Sequence, residues 1–218
     1  MSVDEGLALR AGLAVGGVTV AALFGPLVGL GPGVVALGAG GALAALTLDA
    51  ARFGGLGGHL LAEALPGGQG RLRRIAVHEA AHGLVAAEND LAVEGVLVGT
   101  LACLRAGLRC NGSTAFALPE HAKLSAPDLR RWSQVLQAGM VAEELEFGSA
   151  RGGFDDRALL GRIWGLSGFD VATAQREQRR ARREVEQFLR RQRRQLLAEA
   201  ERLLAEAPRL LALGRPGP

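Results

Sequence analysis

Residues 77–85 read Val77-His78-Glu79-Ala80-Ala81-His82-Gly83-Leu84-Val85. Two histidines four apart project from one face of a helix, about one turn from each other. That spacing lets both imidazoles share a zinc ion through nitrogen bonds of about 2 Å. Glu79 follows the first histidine, beside such a metal but outside its ligand set. There a carboxylate can take a proton from metal-activated water and pass it to a leaving amine. The neighbours Ala80, Ala81, Gly83, Leu84 and Val85 are small and apolar, as a buried metal helix requires. Arg71-Leu72-Arg73-Arg74 upstream suits an exposed helix end.

Outward from this helix, predicted over 71–88, Asn89-Asp90 gives a stop. Residues 93–98 and 113–118 are strand candidates, with Asn111-Gly112 as the turn signal between them. Ser125-Ala126-Pro127-Asp128 reads as an N-cap with an acidic N3 residue, opening a helix to Phe147 that Gly148 ends. Leu129, Trp132, Leu136 and Met140 form its apolar stripe. A short helix is expected after Gly152-Gly153 and a break at Ser167-Gly168. One long helix over 171–204 is then expected, with Val185, Phe188, Leu189, Leu196 and Leu203 on its apolar side and Pro208 closing it.

On the N-terminal side, no residue from Ala11 to Leu48 is charged. One membrane span needs only about 20 apolar residues. Gly25-Pro26 and Gly29-Leu30-Gly31-Pro32-Gly33 interrupt the run and suit a tight turn. The expectation is a transmembrane helical hairpin within residues 1–52, its spans near 11–28 and 33–48. The start, Met1-Ser2-Val3-Asp4-Glu5, lacks the basic region of a signal peptide. Arg10 precedes the first span and Arg52, Arg71, Arg73 and Arg74 follow the second. The positive-inside rule therefore puts the rest of the chain on the cytoplasmic face of the inner (cytoplasmic) membrane, in contact with lipid. Glycine-rich residues 53–70 read as a linker, 71–208 as the soluble domain and 209–218 as a tail.

Composition narrows the chemistry. The 218 residues are 49% hydrophobic and only 4% aromatic, with no tyrosine and 32 glycines. Lys123 is the sole lysine and stands in Glu120-His121-Ala122-Lys123-Leu124, which cannot supply a phosphate-binding P-loop, so no nucleotide partner is expected. Cys103 and Cys110 are too few for a disulfide framework and too widely spaced for a zinc knuckle; they read as two ordinary thiols in a reducing compartment. Arg179-Arg180-Ala181-Arg182-Arg183, Arg190-Arg191 and Arg193-Arg194 suggest an RNA or anionic-lipid surface. The interleaved Glu177, Glu184, Glu186, Glu199 and Glu201 favour a solvated face of ion pairs instead, so nucleic acid is not the expected partner.

A catalytic zinc usually has three protein ligands and an open position. His59, His121, the pair Glu143-Glu144 and the pair Asp155-Asp156 all qualify, and spacing does not choose among them. A resemblance does. Residues 77–85 resemble the metal helix of the FtsH family of membrane ATP-dependent zinc proteases. In the same order, Thr114-Ala115-Phe116-Ala117-Leu118-Pro119-Glu120 resembles that family's strand ending in Leu-Pro-Glu. Gly139-Met140-Val141-Ala142-Glu143-Glu144-Leu145-Glu146-Phe147-Gly148 resembles its Gly-Arg-x-Ala-Glu-Glu-x-x-Phe-Gly segment. Gly152-Gly153-Phe154-Asp155-Asp156 resembles its Gly-Ala-x-x-Asp segment.

The resemblance implies zinc held by His78, His82 and Asp156, with Glu79 catalytic and Asp155 turned about 100° away. Glu143 and Glu144 would stand behind the ligands or in ion pairs. The strand at Thr114, Ala115 and Phe116 has two readings: an edge that pairs with an extended polypeptide substrate, or a purely structural strand. His59 and His121 read as surface residues. The family's ATPase and its loop between spans have no counterpart here; Ala81 stands where glycine is common and Arg157 where an apolar residue is usual.

The expected fold class is therefore mainly α: the membrane hairpin plus an FtsH-like zincin peptidase domain with a small β element. The expected function is ATP-independent zinc endopeptidase action on unfolded or membrane-proximal polypeptides. A regulatory or assembly subunit of a full-length FtsH-type protease is the alternative, and self-association a further expectation.

Overall fold

The computed structural model describes residues 15–65, 67–117 and 123–209. The chain divides into two compact units, Met1–Gly58 and His59–Pro218. It is mainly helical with one small two-stranded sheet, as expected.

In the first unit, residues 15–24 are helical and run into a 3-10 turn, Gly25–Val28. Gly29 takes φ 81°, which a β-carbon would disfavour. Helix α1 (Pro32–Phe53) follows, with Pro32 at its first turn, where a missing N–H costs nothing. α1 is long and apolar enough to cross a membrane by length and composition, and no part of it is buried. The companion stretch Val15–Val28 is apolar but shorter. Residues 11–14 of the expected first span lie outside the described residues.

The expected linker is not a simple coil. Gly54 and Gly55 make a left-handed turn, φ 63° and 80°, and helix α2 (Leu56–Ala64) starts directly after it. Asp49 explains why a glycine-rich stretch becomes helical. Its two carboxylate oxygens accept hydrogen bonds from the Gly57 and Gly58 amides, both at 2.9 Å. Those amides sit in the first turn, where a helix has no internal acceptor for them.

The second unit is built on helix α3 (Gly68–Glu88), which starts three residues earlier than predicted. Ala76, Val77, Ala80, Ala81, Val85 and Ala86 are buried, and their small side chains let neighbours approach closely. α3 packs against α5 (Ala126–Phe147) and α8 (Arg193–Glu206), and α5 packs against α6 (Phe154–Leu166) and α7 (Val171–Arg191). Strand β1 (Val93–Val98) pairs antiparallel with β2 (Gly112–Phe116) beside α3, in the register Val98↔Gly112 to Val93↔Phe116, with a bulge between Val93 and Gly95. Ser125 caps α5 as expected, its hydroxyl accepting from the Asp128 amide, and Gly148 ends it at φ 74°.

Two further expectations are corrected. The strands are not joined by a tight turn at Asn111-Gly112: helix α4 (Thr100–Arg105) lies between them, and Gly112 is already paired with Val98. The C-terminal helix is two helices, broken at Gln192. Ala181, Val185 and Leu189 of α7 are buried where it packs on α5, whereas Leu196, Ala200 and Leu203 of α8 are buried where it packs on α3. The break lets the two stripes face different partners.

Candidate metal centre

α3 aims both histidines of its motif at one point. His78 Nε2 lies 3.2 Å from Asp156 Oδ2, and His82 Nε2 lies 3.4 Å from the same oxygen. Among the described residues, these three side chains form the one group of histidine, cysteine and acidic residues arranged to hold a metal ion, their ligand atoms all within 4.8 Å. Two bonds of about 2.05 Å at a tetrahedral angle end about 3.3 Å apart, so the spacing suits zinc with these donors.

The other face of each imidazole is held. His78 Nδ1 donates to Glu143 Oε1 at 2.7 Å, and His82 Nδ1 donates to the Val135 carbonyl at 2.8 Å. Such outer partners fix the ring orientation and leave the Nε2 lone pair for a cation. Glu143 is itself fixed by the Arg74 guanidinium (3.0 Å) and the Arg151 (2.8 Å) and Gly152 (3.1 Å) amides. Phe116 closes the site, packing edge-on against His82 at 6.2 Å and Trp132 at 5.6 Å between ring centroids.

Glycines make the packing possible. A β-carbon on Gly139 of α5 would fall 2.3 Å from the His78 ring. One on Gly152 would fall 2.8 Å from Glu143 Oε1. Both glycines stand in the quoted motifs, yet only the fold reveals which side chains they accommodate. The Val135 carbonyl carries no signal in the sequence, and Arg74, which reads there as part of an exposed helix end, turns inward to Glu143 instead.

Glu79 is buried beside the histidines, 6% exposed. Its Oε2 accepts from the Thr114 hydroxyl at 2.7 Å. Gly112 brings the β2 backbone against its other oxygen, where a β-carbon would be only 2.5 Å away. Burial pushes the Glu79 pKa up, and the charges of His82 and His78 with the Thr114 hydrogen bond pull it partly back. Burial alone lowers the pKa of His78, but hydrogen bonds to Asp156 and Glu143 win and raise it to about 10. Burial would likewise raise Asp156, yet its bonds to His78 and His82 hold its carboxyl below the usual range. Glu143 is lowered in the same way by His78, the Arg151 amide and Arg74. A dense negative pocket around two imidazoles is what a divalent cation neutralises.

The remaining candidates fall elsewhere. Asp155 is exposed. Glu144 does not stand behind the ligands; it pairs with Arg182 at the surface. His59 pairs with Arg71, and His121 lies outside the described residues, as do Leu118, Pro119 and Glu120. Ala115 is exposed on β2, and Thr114 and Phe116 turn towards the site. The arginine-rich helices carry the expected pairs one turn apart, Arg180–Glu184 and Arg190–Glu186, whereas Arg130–Glu184 and Arg193–Glu146 tie them to α5. Comparison with protein-family models, with curated proteins and with solved structures finds no match for the chain.

Proposed function

We propose that the chain is a membrane-anchored zinc metalloendopeptidase of FtsH-like type, hydrolysing unfolded or membrane-proximal polypeptides without ATP. The observation that carries the reading is the convergence of both histidine Nε2 atoms on one Asp156 oxygen, with Glu79 buried alongside. His78, His82 and Asp156 would hold the ion. A bound zinc supplies Lewis-acid activation of water and of the scissile carbonyl.

The chain's own residues do the rest. Glu79 takes the proton of the attacking water on its carboxylate and returns it to the leaving nitrogen, so that the amine departs neutral. Its raised pKa favours holding that proton between the two transfers. The Thr114 hydroxyl donates to one carboxylate oxygen and so orients the group. Among the described residues β2 pairs only with β1, so its second edge is free to align an extended peptide by backbone hydrogen bonds. An extended peptide is what an unfolded chain offers, and a folded domain does not. The apolar helix α1 supports the membrane anchor.

The test is cleavage of an unfolded protein by the full chain in detergent, with zinc and no nucleotide. Wild type should cleave, a chelator should stop it and zinc restore it, and Glu79→Gln should be inactive with its zinc retained. Equal cleavage by Glu79→Gln would overturn the assignment. No cleavage by a zinc-loaded wild type would leave the regulatory-subunit reading as the better one.

A further inference from the structure

Cys103 and Cys110 have no part in the metal centre, yet the fold clasps them together. The Cys103 amide donates to the Gly99 carbonyl at 3.2 Å, and the Gly99 amide donates to the Asn111 carbonyl at 2.9 Å, so one glycine tethers both ends of the segment. The Leu108 amide turns back to the Cys103 carbonyl at 2.8 Å, through a left-handed Gly107 at φ 77°. Burial, with the neighbouring Cys110 thiol, pushes the Cys103 thiol up. Cys103 is fully buried, whereas Cys110 is partly open to solvent. Both are free thiols.

We propose that Cys103 and Cys110 form a reversible disulfide by exchange with small-molecule disulfides, tying α4 to the strand packed on Glu79. Cys110, the accessible sulfur, attacks the small disulfide as its thiolate, forming a mixed disulfide and expelling one half as a thiol. Cys103 then attacks the Cys110 sulfur, its proton passing to the second half as that leaves. Two protein thiols and one small disulfide thus become one protein disulfide and two small thiols. Bonding draws the sulfurs to about 2.05 Å. Cys110 lies two residues before Gly112, whose backbone has no spare room against Glu79. Closing the bond therefore disturbs the strand that positions the general base. This effect on cleavage rests on the peptidase reading above.

The experiment equilibrates the zinc-loaded full chain with mixtures of oxidised and reduced glutathione, followed by alkylation and peptide mass mapping. Cleavage of an unfolded protein is measured in parallel. Wild type should yield a Cys103–Cys110 cross-linked peptide with little glutathione adduct. Cys103→Ala should instead accumulate the adduct on Cys110, because nothing resolves it. Oxidation should lower the wild-type rate several-fold, reversibly with dithiothreitol, and should not do so in Cys110→Ser. A wild type that stays reduced, or that keeps glutathione on Cys110, overturns the proposal; so does a cross-link that leaves the rate unchanged. A reduced wild type that cleaves nothing contradicts the peptidase reading, and the peptide map then decides the disulfide by itself.

Discussion

Glu143 holds His78 by its Nδ1 at 2.7 Å, although 65 residues separate them in the chain. The carboxylate fixes which ring nitrogen faces Asp156, and Arg74 with two backbone amides fixes the carboxylate. Removing such an outer partner typically costs 10–100-fold in metal affinity, roughly. Glu143→Gln should weaken zinc binding by about that factor, and Glu144→Gln should leave it unchanged. Competition with a fluorescent zinc chelator measures both.

Gly139 and the His78 ring cannot both keep their places if a methyl is added between them. Gly139→Ala should destabilise the domain by about 1–3 kcal/mol, the usual cost of overpacking a filled core. It should also lower the zinc content of the purified protein, since the ring it displaces is a proposed ligand. Thermal unfolding and elemental analysis read the two effects separately.

The sequence made the chemistry of α3 legible because two histidines at helical spacing say where their side chains point. The quoted glycine and acidic segments were legible as a resemblance, but what they do was not. Gly139 faces His78 and Gly152 faces Glu143 only because α5 and the loop before α6 cross α3 at that height. Crossings of this kind depend on long-range packing, which local patterns do not encode. α4 is hidden for a related reason: Asn111-Gly112 is a strong local turn signal, and the pairing of Gly112 with Val98 overrides it. The break at Gln192 was hidden because the apolar spacing runs on through it while the packing partner changes.

Thr114→Val removes the hydroxyl that Glu79 accepts from and keeps the side-chain shape. A hydrogen bond to a charged group is worth about 1.5–3 kcal/mol, so the cleavage rate should fall by about tenfold or more while zinc content stays constant. Thr114→Ser should restore most of the rate. Steady-state kinetics on the three proteins, with zinc measured in each, checks this.

In the metal-free chain the folded pKa of His78 is about 10, above its unbound value of 6.5. The stability it contributes is therefore fully present below 6.5 and lost as pH rises through about 10. Zinc needs the lone pair that this proton occupies, so binding near pH 7 should release protons and tighten as pH rises. Calorimetry in buffers of different ionisation enthalpy gives the proton count. Denaturation at alkaline pH should show the metal-free chain weakening and the zinc-loaded chain keeping its stability.

The most direct measurement is anomalous diffraction at the zinc edge from crystals of the zinc-loaded protein, with Asp156→Ala alongside. The account predicts one strong peak in the wild type, bonded to Nε2 of His78, Nε2 of His82 and the Asp156 carboxylate, with Glu79 close by and unbonded. In Asp156→Ala that peak should weaken or vanish. A protein that binds no zinc at this point, or whose peak is indifferent to Asp156, would contradict it.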